Sequence, residues 1–181
     1  PEAQKKVICN AIEKSGIDPR NIAYIEAHGT GTLIGDPIEL KSLTNVFSQY
    51  TDKKQYCAVG SVKTNIGHLL SASGIASFIK CCLIAENKYI PKTLNCVNVN
   101  PRFNFESSPF YPELEGEAYS GGKMTVGVSS FGFGGTNVHQ LISSCENSVP
   151  RKNLPPIVFN RERYWNDDYK SRYASAKANK E

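Results

Sequence analysis

Ile22-Ala23-Tyr24-Ile25-Glu26-Ala27-His28-Gly29-Thr30-Gly31-Thr32-Leu33-Ile34-Gly35-Asp36-Pro37-Ile38-Glu39 decides the fold class. Its first six residues are a short apolar run of the kind that forms a buried strand. A glycine-rich stretch follows. Asp36-Pro37-Ile38-Glu39 then opens a helix: Asp36 can cap, proline suits the first helical position, and Glu39 can close a capping box. The helix runs to about Tyr50, with Leu40, Leu43, Val46 and Phe47 on its apolar side. Strand, glycine turn and helix make an α/β unit.

The pattern extends both ways. Residues 2–15 place Val7, Ile8, Ala11 and Ile12 at helical spacing. Gly16 suits the C-cap, and Asp18-Pro19 makes a turn. Tyr56–Val62 reads as a second strand. Gly67-His68 leads through Ser71 and Ser73 into another helix, with Ile75, Phe78, Ile79, Cys82 and Leu83 as its buried stripe. Residues 89–122 are rich in proline and asparagine and mostly irregular, with room for a hairpin. Met124–Ser129 and Val138–Ile142 read as strands around a second glycine-rich turn, Phe131-Gly132-Phe133-Gly134-Gly135-Thr136-Asn137. From Cys145 the composition turns polar, so a linker and tail are expected over 146–181, after a domain over 1–145.

The 181 residues carry 40% hydrophobic and 21% charged side chains, and this is ordinary globular composition. No run approaches the ~20 apolar residues of a membrane span. Net charge is +4, too mild to argue for nucleic acid. Residues 1–145 are nearly neutral, with 13 basic and 12 acidic side chains, and the excess lies in the tail. The six cysteines form no C-x-x-C pair. With no signal peptide, they read as free thiols in a reducing cytoplasm. The chain opens at Pro1 directly in a helical pattern and reads as cut from something longer.

Two of the three histidines, His28 and His68, follow short apolar runs and sit in glycine-rich turns at strand ends. His139 stands inside a strand pattern and reads as structural. Gly29-x-Gly31-x-x-x-Gly35 misses the dinucleotide fingerprint by one residue, and no Walker lysine follows. Two histidines without further ligands make a poor zinc site, so no metal is expected. What remains is a pair of neutral imidazoles able to donate hydrogen bonds to one developing oxyanion. A helix N-terminus just after His68 disfavours a cationic ring there.

Glu26-Ala27-His28-Gly29-Thr30-Gly31-Thr32 with Gly35-Asp36-Pro37-Ile38-Glu39, Val62-Lys63-Thr64-Asn65-Ile66-Gly67-His68, and Ser130-Phe131-Gly132-Phe133-Gly134-Gly135-Thr136-Asn137 together resemble a β-ketoacyl synthase. The likeness covers roughly residues 1–145. Asn137-Val138-His139 and the later Arg161-Glu162-Arg163-Tyr164-Trp165 resemble the polyketide-synthase branch and its post-ketosynthase linker. The resemblance implies the carboxyl-terminal half of a thiolase-like fold, layered α/β with a mixed sheet. It implies an acyltransferase that joins a cysteine-bound acyl group to malonyl carried on an acyl carrier protein, with loss of CO2. His28 and His68 would then donate to the malonyl thioester oxygen, and Lys63 would tune the field around His68 or form an ion pair with a carboxylate such as Glu39. Thr30 and Thr32 would bind the phosphopantetheine arm, with no directly bound cofactor. The Phe133 N–H would serve the oxyanion hole, and Phe131 and Phe133 would gate the pocket, Phe131 being equally readable as core. Glu39, Asp36 and Asn137 would be structural supports.

One departure is large. The family's nucleophile motif is absent: none of the six cysteines has its context, and Cys82 reads as core. The amino-terminal half is therefore an expected partner, in the same or another polypeptide, with the complete domain a homodimer, and this chain alone is expected to be inactive. Its core should expose a face for that half. A non-elongating acyl-transfer relative, whose first histidine motif would look degraded, is the alternative within the class. A docking half that binds carrier protein is the alternative outside it. Arg151, Lys152, Arg161 and Arg163 either steer an acidic carrier protein or are simply solvated.

Overall fold

The computed structural model describes residues 1–145 together with Pro155, Val158, Phe159, Asn160 and Glu162. The chain divides into two units, Pro1–Ser148 and Val149–Glu181, and every element below lies in the first. The linker expected over 146–181, with Arg151, Lys152, Arg161 and Arg163, falls almost wholly outside the described residues.

Helix α1 spans Glu2–Ser15 and ends where Gly16 turns left-handed at φ 64° and donates its N–H to the Ile12 carbonyl. A 3-10 turn, Pro19–Asn21, is capped by the Asp18 carboxylate accepting from the Arg20 N–H. Strand β1, Ile22–Glu26, leads into helix α2, Gly35–Phe47. Strand β2, Cys57–Gly60, leads into the short helix α3, Lys63–Ile66, and then α4, Ser73–Asn87. The irregular stretch holds β3 (Tyr89–Ile90), β4 (Phe110–Pro112) and β5 (Glu117–Ala118). Strands β6, Thr125–Phe131, and β7, Asn137–Ser143, form the last hairpin.

The main sheet runs β4-β2-β1-β6-β7. Its first four strands are parallel and β7 is antiparallel to β6, so the sheet is mixed. The hairpin allowed for in residues 89–122 appears instead as an antiparallel pair of distant strands, β3 and β5. Apolar side chains of α1 and α2 (Ile8, Ile12, Leu40, Leu43, Val46, Phe47) pack with Ile22, Ile25, Cys57 and Phe110 on one face. Cys81, Ile84 and Ala85 of α4 pack with Tyr24, Ala58, Met124, Val126 and Val128 on the other. Parallel strands covered on both sides read as nearly continuous apolar runs, and β1 and β2 do so.

Two expectations are corrected. The buried face of α4 is not Ile75, Phe78, Ile79, Cys82 and Leu83 but Ser73, Ser77, Cys81, Ile84 and Ala85. These mostly small side chains let the helix lie close on the sheet, with the Cys81 thiol reaching the Gly127 carbonyl at 3.8 Å. Ile75, Ile79 and Leu83 are more than half exposed, and Phe78 and Cys82 are half-buried. The helix thus carries a second apolar face beside the one on the sheet, and Ile75, Ile79 and Leu83 leave that face uncovered. The second correction concerns α2. Glu39 closes no capping box; its buried carboxylate turns toward the His28 turn, and the Gly35 N–H is taken by the Thr32 hydroxyl oxygen at 3.0 Å rather than by Asp36. Smaller differences follow from local chemistry: β2 ends at Gly60 because Val62 already enters the α3 turn, and α2 ends at Phe47.

Candidate active site

Strand β1 is held between β2 and β6, so its end delivers Ala27 and His28 to a fixed place, with the Ala27 N–H bonded to the Gly60 carbonyl at 2.9 Å. The chain then turns sharply. Glu39 accepts the His28 N–H on one carboxylate oxygen at 2.8 Å and the Gly29 N–H on the other at 3.0 Å. Gly29 has φ +43°, and a Cβ there would lie 2.9 Å from that of Ser61, so both conformation and space demand glycine. Burial pushes the Glu39 carboxyl up to about 7, against the pull of its two N–H partners. Asp36, one turn earlier on α2, is also raised by burial, opposed by the backbone of Thr32, Gly31 and Thr30. Both acids named as supports therefore brace the His28–Thr32 turn from one helix.

His68 arrives by the second strand. Gly67, at φ +73°, ends α3. The His68 Nδ1 accepts the Leu70 N–H at 3.0 Å, and the His28 Nδ1 accepts the Phe131 N–H at 3.4 Å. An imidazole nitrogen that accepts carries no proton, so each neutral ring holds its proton on Nε2. The ring centroids stand 5.6 Å apart, edge to face. Burial first, then the Lys63 charge and the neighbouring His68 ring, lower His28 to about 4, so it is neutral at pH 7. The Lys63 ammonium is lowered by burial and supported by Glu26, Glu39 and Asp36. The ion pairs among the described residues join Lys5 to Glu2, Arg20 to Asp18 and Lys80 to Glu26. The alternative pairing of Lys63 with Glu39 is therefore not formed.

The third motif closes the group. The Phe131 ring lies 5.7 Å from that of His28 and is half-buried, so it borders the site rather than filling the core. Asn137 stands opposite Phe131 where the hairpin opens. The turn between them is tied by Gly132 N–H to Thr136 O and Gly135 N–H to Gly132 O, bonds that do not use the Phe133 N–H. The Phe133 side chain is fully exposed and touches no gate here. Thr30 and Thr32 lie exposed on the first turn, their hydroxyls 3.5 Å apart. Histidines, Lys63 and Phe131 thus converge, while Phe133 and the threonines form the rim.

Sequence reading gave Glu26 no role, yet it is fully buried and bonded to the turn that leads to His68. A carboxylate within an apolar run was the available signal. His139 is structural as expected: it is buried, bonded through Nδ1 to the Ser129 hydroxyl at 3.0 Å, and lowered to about 4 by burial. Cys82 is not core; Cys81 is. A cavity of about 510 Å³ lies beside the turns, lined by Gly29, Gly31, Asp36, Thr64, Asn95 and Cys96 among others, and neither histidine borders it. Among the described residues no cluster of three or more His, Cys, Asp or Glu is placed to hold a metal ion, and no helix is long and apolar enough to cross a membrane.

Residues 1–97 match the family described as beta-ketoacyl synthase, C-terminal domain. Polyketide synthase PksN of Bacillus subtilis is 46% identical over 148 residues, which are 81% of this chain and 3% of that protein. Probable polyketide synthase 1 of Dictyostelium discoideum is 39% identical over 169 residues, 81% of this chain and 5% of its own length. Among solved structures, ketosynthase twelve of the bacillaene polyketide synthase of Bacillus amyloliquefaciens superposes with a TM-score of 0.78 at 42% identity, covering 82% of this chain and 27% of that one. The module 6 ketosynthase of the Bacillus subtilis bacillaene synthase gives 0.77 at 43%, over 80% and 27%. The chain therefore spans a small fraction of these curated relatives and about a quarter of each solved ketosynthase.

Proposed function

The chain belongs to the β-ketoacyl synthase family, as the carboxyl-terminal region of a polyketide-synthase ketosynthase with a thiolase-like fold, and from that premise we propose that it supplies the two histidine donors of a decarboxylative condensation. The observation that carries the reading is the matched tautomer: both Nδ1 atoms accept a backbone N–H, leaving two Nε2–H groups on rings 5.6 Å apart.

Malonyl arrives as a thioester on the phosphopantetheine arm of an acyl carrier protein, steadied by the Thr30 and Thr32 hydroxyls. The bond to its carboxylate breaks, CO2 leaves, and the electron pair becomes an enolate whose oxygen is held by His28 and His68. Two preorganised donors aimed at a developing oxyanion are worth most in a site poor in water. Burial, reinforced by the Lys63 charge, holds His28 neutral, so that its Nε2–H donates a hydrogen bond to the enolate oxygen without giving up the proton. The enolate carbon then attacks the acyl thioester of a cysteine. The Phe133 N–H serves the tetrahedral oxyanion, the carbon–sulfur bond breaks, and the thiolate leaves. That cysteine lies in the amino-terminal half of the ketosynthase, and the apolar face of α4 at Ile75, Ile79 and Leu83 supports packing of that half here. The complete domain acts as a homodimer, and this chain alone does not condense.

The test uses the complete ketosynthase, this region joined to its amino-terminal half. His68→Ala is expected to abolish malonyl decarboxylation while acyl loading on cysteine continues. Retained decarboxylation would refute the assignment. Formation of an acyl-enzyme by the isolated chain would refute the missing-nucleophile reading.

A further inference from the structure

Glu26 is 0% exposed, two residues before His28 on β1. A fully buried carboxylate is costly unless it is paired and its oxygens are satisfied. Here both conditions hold, and the partners are informative. One oxygen, Oε2, accepts the Tyr24 hydroxyl at 2.6 Å and pairs with the Lys80 ammonium at 2.8 Å. Lys80 also donates to the Tyr24 hydroxyl at 2.8 Å and lies over its ring at 5.3 Å. The other oxygen, Oε1, accepts the Val62 N–H at 2.5 Å, with the Ser77 hydroxyl at 3.4 Å.

The division of labour is the point. Lys80 neutralises the charge, and the Tyr24 hydroxyl satisfies Oε2. Oε1 is spent on the backbone of another segment, the residue that opens α3 and so carries Lys63 and His68. Glu26 itself belongs to the strand that carries His28. One rigid carboxylate therefore spans the roots of both histidine-bearing turns. Burial of an ion pair is weak evidence for a stabilising role, because apolar residues of similar volume usually serve stability as well.

We propose that Glu26 is a positioning residue that sets the separation of His28 and His68 through its bond to the Val62 N–H, with Lys80 as its counter-charge. The inference rests on the condensing function proposed above. Misplacing a reacting group by about 1 Å costs on the order of 100-fold in rate, so the effect belongs in kcat of the histidine-dependent step. Cysteine acylation, which does not use the enolate donors, should not follow it.

The experiment compares two charge-balanced pairs of substitutions in the complete ketosynthase. Glu26→Leu with Lys80→Met removes the clamp but keeps the volume and strands no charge. Glu26→Gln with Lys80→Met keeps an amide oxygen for Val62. The first pair is expected to lower kcat for malonyl-carrier-protein decarboxylation by about 100-fold, with KM and cysteine acylation near wild type. The second is expected to restore decarboxylation to within about threefold of wild type, since its amide oxygen preserves the geometry on which that rate depends. Wild-type decarboxylation in the Leu/Met protein would overturn the proposal. So would equal loss in both proteins, or a parallel fall of acylation and decarboxylation. Should the Leu/Met protein not fold, loss of decarboxylation with intact acylation in the Gln/Met protein would still overturn it. His68→Ala is the control: if it decarboxylates, the reading of the site has failed, independently of Glu26.

Discussion

Replacing Glu39 by glutamine should change the pH dependence of stability more than stability itself. The carboxyl is buried, 4% exposed, and sits at about 7 instead of 4.5. The folded state therefore holds the proton more tightly than the unfolded chain does. Its contribution is full below pH 4.5 and is lost as pH rises through 7. At ~1.4 kcal/mol per pH unit, the window between 4.5 and 7 amounts to about 3 kcal/mol. Glutamine cannot ionise and carries none of this. It keeps one acceptor for the His28 or Gly29 N–H and loses the other bond, a charge-assisted one worth ~1.5–3 kcal/mol when Glu39 is ionised. Above pH 7 the lost bond and the relieved desolvation nearly offset each other. The assay is urea unfolding of wild type and Glu39→Gln at steps from pH 4.5 to 8. The expected result is a difference that moves by about 3 kcal/mol in the variant's favour as pH rises. Parallel profiles would refute the argument that burial, rather than the two N–H groups, governs this carboxyl.

Other outcomes follow from the same geometry. His139, lowered to about 4 and buried, contributes in the opposite sense: its share is full above pH 6.5 and lost as pH falls toward 4. His139→Leu should therefore gain about 3 kcal/mol on wild type across that window, read by the same unfolding series. Because the Glu39 and His139 windows overlap with opposite sign, only the single variants separate them. Gly29→Ala forces a side chain into φ +43° and against Ser61 and should lower stability by ~1–3 kcal/mol in thermal unfolding. Ile79→Lys on the exposed face of α4 should leave the unfolding free energy of this chain within ~0.5 kcal/mol of wild type but abolish association with the amino-terminal half in a pull-down.

Much of this arrangement was legible in the residues, for identifiable reasons. Strand, glycine turn and helix around His28 are strong local signals, and the two histidines stand out because each ends a short apolar run beside glycine. What was not legible is long-range. The inward face of α4 could not be chosen by hydrophobicity, because the helix carries two apolar faces and the sheet takes the one with small residues, Ser73, Ser77 and Cys81. Glu39 has the spacing of a capping box, yet tertiary contact turns it to His28 and Gly29, eleven and ten residues away. The Glu26–Lys80 pair joins residues far apart in sequence, and only the fold brings them to 2.8 Å.

The central claim is that His28 and His68 each present an Nε2–H because Nδ1 is taken by a backbone N–H. Long-range proton–nitrogen correlation spectra of the histidine-labelled protein at pH 8 test it directly, and with three histidines in the chain the assignment is short. The account predicts acceptor-type Nδ1 and protonated Nε2 shifts for both rings. A proton on Nδ1 of either ring would contradict it.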